Sequence, residues 1–226
     1  MIKAFLFDMD GVLVDSEDIS VEVGIDFFRT LGRNLEPSDF LPHLGMGEFR
    51  FYDGPAKDHG IAYSYEEASR YFFEHYEEKL LRKGNFILPG AREIFRFAKK
   101  AGILTAVASS APKWKVETHI KALGLDSTLL DLAVSGSDIK RNKPYGDIYQ
   151  FCLDRFGIQG DEAIVFEDAV GGIQAGKNAG CRVVALSTTL DQDTLEKTEA
   201  DRILKDLSEF PSFSSRFEFD ELLGRS

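Results

Sequence analysis

Met1-Ile-Lys-Ala4-Phe-Leu-Phe7-Asp8-Met-Asp10-Gly11-Val-Leu-Val-Asp15 is the stretch whose reading decides the fold. Ala4 to Phe7 is a short apolar run of the kind that forms a buried strand. Two carboxylates follow, Asp8 and Asp10, with Gly11 directly behind them. Glycine lets a chain leave a strand sharply. Asp8 and Asp10 are therefore expected together at the carboxyl end of a strand, where open α/β sheets carry their chemistry. Carboxylates this close repel each other unless a cation or a proton separates them. The pair predicts a hard divalent metal, Mg2+ first, which prefers carboxylate and water oxygens. Taken alone, Asp-x-Asp-Gly also reads as an ordinary surface turn. The strand before it and the motifs farther along argue against that.

Outward from this strand, apolar β-rich runs recur at Ile103–Ala108, Leu132–Val134, Ala163–Phe166, Arg182–Leu186 and Arg202–Leu204. Helical patterns at Ala91–Lys100, Lys113–Leu123, Asp147–Phe156 and Gly172–Asn178 separate most of them. Strands alternating with helices of this length predict a parallel sheet covered on both faces, a doubly wound (Rossmann-like) α/β core. From Glu17 to Arg82 no convincing strand occurs. Glu66 to Leu81 reads as a helix, with Tyr71, Phe72, Tyr76 and Leu80 at three- and four-residue spacing, and Glu17 to Leu31 as another, broken by Gly32. The expected division is an α/β core of residues 1–15 and 87–226 and a helical insert of residues 16–86. The competing reading makes these helices part of one domain.

Three further segments stand at predicted strand ends. Ser109-Ser110-Ala111-Pro112-Lys113 follows the second strand. A hydroxyl there, with N–H groups facing a helix N-terminus, suits a phosphate, while a serine capping the helix that begins near Pro112 is the alternative. Lys143-Pro144 follows the third strand. A lone loop lysine is usually solvated, but one before a proline has a restricted backbone and a direction. Glu167-Asp168 ends the fourth, ahead of Gly171-Gly172-Ile173. The pair, at a strand end before a glycine-bearing helix start, reads on its own as an acidic first turn that complements a helix dipole.

Phe7-Asp8-Met9-Asp10-Gly11-Val12-Leu13-Val14-Asp15-Ser16-Glu17 closely resembles the first signature of the haloacid dehalogenase superfamily, in the branch of β-phosphoglucomutases and sugar-phosphate phosphatases. The other three segments resemble its remaining motifs in order. The resemblance implies Asp8 as nucleophile, forming an aspartyl phosphate, and Asp10 as general acid and then base. It implies Ser109, with Ser110 beside it, on a phosphoryl oxygen and Lys143 on the transferring group. Mg2+ would be held by the Asp8 side chain, the Asp10 carbonyl and Asp168, with Glu167 a ligand or the holder of a coordinated water. The insert would be a cap that closes over the site. The second aspartate decides against dehalogenation, since the superfamily's dehalogenases lack it. Departures are Ala111 for a small polar residue, Gly146 for proline and Ala169 for serine.

Substrate choice is expected from His43-Leu44-Gly45-Met46-Gly47-Glu48-Phe49-Arg50, where close glycines mark a turn. His43, Gly47, Glu48 and Arg50 would bind the substrate. A capped loop-to-helix junction with solvated charges is an equal alternative. The segment resembles a Gly-Thr-Gly-Glu phosphatase subgroup more than the Ser-Arg of the mutases, which favours hydrolysis. A β-phosphoglucomutase-like sugar phosphomutase is the alternative enzyme, and a catalytically idle binding module the alternative from another class. His59, His75 and His119 have no ligand spacing and read as structural.

Acidic residues outnumber basic ones, 38 to 27, for a net charge of −11, which argues against nucleic-acid and anionic-membrane partners. A small phosphorylated metabolite stays compatible, because local cations and a metal reverse the sign inside one pocket. A monomer or weak homodimer is expected. Cys152 and Cys181 form no disulfide framework and no metal-ligand spacing. Reduced thiols, no apolar stretch of transmembrane length and no signal peptide ahead of the first strand point to a cytoplasmic protein. The tail from Leu207 to Ser226 carries Phe210, Phe213, Phe217 and Phe219 among charges. It is expected to pack on the core or to serve a partner.

Overall fold

The computed structural model describes residues 1–43 and 47–210. The chain runs β1 (Ala4–Phe7), α1 (Glu17–Thr30), α2 (Pro37–Phe40), α3 (Glu48–Asp58), α4 (Tyr65–Lys83), α5 (Ala91–Ala101) and β2 (Leu104–Ala108). It continues through α6 (Lys113–Leu123), β3 (Leu132–Val134), α7 (Asp147–Phe156), β4 (Ala163–Glu167), α8 (Val170–Asn178), β5 (Arg182–Leu186), α9 (Gln192–Leu195) and β6 (Arg202–Leu204). Two compact units result, Met1–Asp15 with Ile87–Ser226, and Ser16–Phe86.

The first unit is a six-stranded sheet in the order β3-β2-β1-β4-β5-β6, and every pair of neighbours is parallel. It is the expected doubly wound α/β fold. β1 is central because its residues bury on both faces. Ala4 and Leu6 join a cluster of small aliphatic side chains that includes Ala106, Ala163, Val165 and Ala175. On the opposite face Phe5 and Phe7 meet Phe166, Phe95 and Phe210. The Phe7 and Phe166 rings stack 4.9 Å apart. Fully burying aromatic side chains of this size contributes roughly 1.5–3 kcal/mol each. Phe210 thus packs on the core, whereas Phe213, Phe217 and Phe219 lie outside the described residues.

β1 pairs Phe7 with Val107 of β2 and with Phe166 of β4. This register sets Asp8 level with Ala108 and Glu167, and the Asp8 N–H donates to the Phe166 carbonyl at 3.0 Å. Strand order reverses about β1, so Asp8 stands at the switch point of the sheet, where such folds open a crevice.

The second unit is helical around an aromatic interior, with Phe28, Phe40, Tyr52 and Tyr76 fully buried. On α4 the buried stripe is Ala68, Phe72, Tyr76 and Leu80 at four-residue spacing. Tyr71, which the sequence places on that face, lies beside the stripe with its ring stacked 3.9 Å from His75. Charges ring this interior: Lys79 pairs with Asp26 at 2.7 Å and Lys83 with Asp18 at 2.7 Å.

Candidate active site

The carboxyl ends of β1, β2 and β4 assemble the site. After β1 the chain curls at once, with the Leu13 N–H on the Met9 carbonyl at 2.9 Å and the Gly11 N–H on the Val14 carbonyl at 2.8 Å. Gly11 has φ +79, and a Cβ there would collide with the Asp168 carboxylate. Only glycine fits this corner. The Thr188 hydroxyl, just past β5, donates to the Gly11 carbonyl. The end of β2 supplies Ser109, 2% exposed, whose N–H donates to the Val134 carbonyl at 3.0 Å. Its hydroxyl accepts from the Ala111 N–H at 3.2 Å, while the cap position of α6 is Pro112, without a side-chain cap. Neither serine caps that helix, so the capping alternative falls.

Lys143 arrives from the loop before α7, ahead of a cis Lys143–Pro144 bond. Its ammonium donates to Asp8, to Glu167 at 2.6 Å and to the Ala108 carbonyl at 3.2 Å. These acceptors match a lysine's three donors, so Lys143 is pinned, not solvated. Tyr149 donates to the same Glu167 oxygen at 2.8 Å, and the other oxygen accepts from the Asp168 N–H at 3.1 Å and the Ala169 N–H at 3.4 Å. A Cβ at Gly172 would collide with this carboxylate. The glycines after Glu167-Asp168 thus bring the α8 backbone close to an anion.

Three carboxylates crowd together here. Asp8, Glu167 and Asp168 each offer a carboxylate oxygen, all within 4.8 Å of one another. The Lys143 ammonium reaches two of them, Asp8 and Glu167. Burial raises the Asp8 pKa to about 7, with Lys143 opposing and Glu167 and Asp10 adding to the rise. Burial, then Glu167 and Asp8, push Asp168 well above the carboxylate range, while the Thr189 hydroxyl lowers it. Burial works against the Lys143 ammonium, yet Asp8 and Glu167 outweigh it and hold its pKa above the lysine value. Anionic oxygens crowded in this way fit a hard divalent cation.

Asp10 is engaged differently. Its carboxylate receives the Lys115 ammonium at 3.1 Å on each oxygen, and the buried His119 ring brings Nδ1 to 3.9 Å. Burial pushes His119 down to about 4, Asp10 raises it and Lys115 lowers it again, so the ring is neutral at pH 7. No sequence motif marks Lys115 or this contact of His119. Their four-residue spacing on α6 was the available signal. Tyr149, Thr188 and Thr189 were also passed over, because nothing local marks them.

The predicted substrate residues lie in the second unit. His43 approaches Asp58 at 3.3 Å and closes on Gly54, where a Cβ would collide with the ring. Gly47, with φ +88, stands at the N-cap of α3, ahead of Glu48, and Arg50 is exposed. Gly45 and Met46 lie outside the described residues. His59 pairs with Asp39 at 3.0 Å.

A family model for haloacid dehalogenase-like hydrolases matches residues 2–180. The chain is 36% identical over 208 residues to Protein SUPPRESSOR OF QUENCHING 1, chloroplastic, of Arabidopsis thaliana, covering 91% of this chain and 20% of that much longer protein. It is 31% identical over 190 residues to the phosphorylated carbohydrates phosphatase of Thermotoga maritima, covering 79% of this chain and 82% of the relative. The crystal structure of CbbY from Rhodobacter sphaeroides in complex with phosphate superposes with a TM-score of 0.80 at 26% identity, over 93% of this chain and 96% of that one. With the motif-bearing strand ends in place and the family model spanning the sheet through β4 and α8, this chain belongs to the haloacid dehalogenase-like hydrolase family.

Proposed function

We propose that this chain is a Mg2+-dependent phosphatase that hydrolyses a small phosphorylated metabolite, of sugar-phosphate type, through an aspartyl phosphate on Asp8. The observation that carries the reading is the cluster of Asp8, Glu167 and Asp168 around one pinned lysine at the switch point of the sheet. The phosphatase named for carbohydrate substrates among its relatives supports the substrate class. Asp8, Asp168 and Glu167, with the Asp10 carbonyl, would hold the cation, which supplies the charge that lets an anionic carboxylate approach an anionic phosphoryl group.

The chain's own groups do the rest. An Asp8 oxygen attacks phosphorus and the ester P–O bond breaks, with the leaving oxygen taking a proton from Asp10. Asp10 then takes a proton from water, whose oxygen attacks phosphorus. The bond to Asp8 breaks, and inorganic phosphate leaves with Asp8 again a carboxylate and Asp10 again protonated. Lys143 stays protonated and offsets charge on the transferring group, which is where phosphoryl transfer needs it. Ser109 is assigned a phosphoryl oxygen. The helical unit, residues 16–86, is assigned the role of cap, with His43, Gly47, Glu48 and Arg50 on the substrate's non-reacting end. No helix among the described residues is long and apolar enough to cross a membrane. Two buried thiols suit a reducing, cytoplasmic setting.

The test is phosphate release from p-nitrophenyl phosphate and a panel of hexose and hexitol phosphates. Release is expected to require Mg2+ and to vanish in Asp8→Asn, and turnover by that variant at the wild-type rate would refute the nucleophile. A sugar phosphomutase uses the same groups but passes the phosphoryl group to a second sugar hydroxyl. NMR of β-glucose 1-phosphate with a bisphosphate primer separates the two, because glucose 6-phosphate formed without free phosphate is a mutase product.

A further inference from the structure

The first turn of α6 grips the Asp10 carboxylate. Lys115 places Nζ 3.1 Å from Oδ1 and 3.1 Å from Oδ2, and its side chain is only 12% exposed. His119, four residues on and therefore on the same helix face, is 0% exposed and stands 3.9 Å from Oδ1. A cation equidistant from both oxygens does more than neutralise a charge. It constrains the plane and direction of the carboxylate. Asp10 itself sits on a tight loop at a strand end, so its own backbone is already constrained. The side-chain torsions are what remain to be set, and Lys115 contacts both carboxylate oxygens.

We propose that Lys115 is a positioning residue that aims Asp10 for proton transfer at the leaving-group oxygen. This rests on the reading of Asp8 as nucleophile and Asp10 as acid and base. The proton balance is closed without Lys115: Asp10, protonated on one oxygen and held by Lys115 through the other, gives that proton to the departing oxygen and regains one from the attacking water. Lys115 keeps its own protons throughout. An acid must lie within hydrogen-bond reach of its target to transfer a proton, and misalignment by about 1 Å costs rate even when every group is present. The step that suffers is the one that needs the proton, and that need grows as the leaving oxygen becomes more basic.

The experiment measures kcat/KM with Mg2+ for p-nitrophenyl, phenyl and benzyl phosphate, whose leaving oxygens need increasing help. Wild type, Lys115→Met and Lys115→Arg are compared, with thermal melting to show that each is folded. If methionine prevents folding, Lys115→Gln carries the same comparison. General acid catalysis is worth about 10²–10⁴-fold, so Lys115→Met is expected to lose at least about tenfold more on benzyl than on p-nitrophenyl phosphate. Arginine, which can span both oxygens, is expected to restore most of that difference. An equal loss across the three esters would mean a general structural role and overturns the proposal, as does no loss or a gain on benzyl phosphate. Wild-type turnover that survives Asp8→Asn would instead refute the nucleophile itself. That failure is visible before any Lys115 variant is made, and takes this proposal with it.

Discussion

The two units bury polar groups on opposite terms. In the α/β unit, Tyr149 is fully buried, and its hydroxyl donates to Glu167, which also holds Lys143. In the helical unit, Tyr52 is as fully buried, and its hydroxyl has no hydrogen-bond partner among the described residues. Lysines differ in the same way. Lys143 is 11% exposed and bridges carboxylates that are 13% and 1% exposed, whereas Lys79, 18% exposed, pairs with an Asp26 that is 27% exposed and a Glu22 that is 64% exposed. Around Asp8 the charges are buried and mutually dependent, which is what preorganised phosphoryl transfer demands. In the second unit rings carry the packing, and charge is peripheral.

Paired substitutions break or sharpen this contrast. The largest effect is expected at the lysines. Lys143→Met leaves buried carboxylates unpaired, so roughly 3–5 kcal/mol of stability should be lost, with turnover down by about 10²-fold or more. Lys79→Met should cost less than about 1 kcal/mol. Urea melts and phosphate-release rates on both variants check this, and equal losses would erase the distinction between the units.

Mg2+ comes next. Asp8 is raised to about 7 when folded and titrates near 3.8 when unfolded, so the metal-free native state binds more protons across that window and its stability falls as pH rises through it. A cation replaces the proton. Mg2+ should therefore raise Tm more at pH 8 than at pH 5.5, by up to about 3 kcal/mol equivalent at a hundredfold excess over Kd. Asp168→Asn should shrink the shift. Melting curves at both pH values, with and without Mg2+, decide, and a larger shift at pH 5.5 would contradict the assigned ligands.

The tyrosines give a smaller contrast. Tyr149→Phe removes a hydrogen bond to a charged acceptor, worth about 1.5–3 kcal/mol. Tyr52→Phe removes a buried hydroxyl without a partner and should be neutral or stabilising by up to about 1 kcal/mol. Chemical denaturation of the pair tests it, and a costly Tyr52→Phe would reveal a partner for that hydroxyl. The smallest effect is expected from Arg50→Ala, a few-fold drop in kcat/KM on the best sugar phosphate of the panel and less on p-nitrophenyl phosphate, which lacks a remote end to grip. Equal changes on both would remove Arg50 from substrate binding.

Local signals carried most of the core. Leu132–Val134, Lys113–Leu123, Asp147–Phe156, Arg182–Leu186 and Arg202–Leu204 are the observed elements at the predicted residues. Each is a short run whose apolar spacing or glycine stop lies within its own residues. Boundaries moved where the backbone chose differently. α8 begins at Val170 and not Gly172, because Ala169 is extended and its carbonyl already accepts the Gly172 N–H at 3.1 Å. In α4, Tyr71 has the right spacing for the buried stripe, but a face wide enough for both Tyr71 and Phe72 is not what the unit covers.

By itself, the sequence determined the alternation of strands and helices, and the placing of Asp8, Ser109, Glu167 and Asp168 at strand ends and of Lys143 in the loop after the third strand. These follow from apolar period, glycine corners and residue order, all of which are local. Tertiary structure alone decided what those residues do to one another. That Lys143 bridges Asp8 and Glu167, that Tyr149 donates to the same oxygen, and that Lys115 and His119 close on Asp10 are contacts across 18 to 135 residues of chain. No window of sequence contains both partners. Parallel pairing of β1 with β2 and β4 brings them together, and the burial that follows turns ordinary carboxylates into a site that calls for a cation.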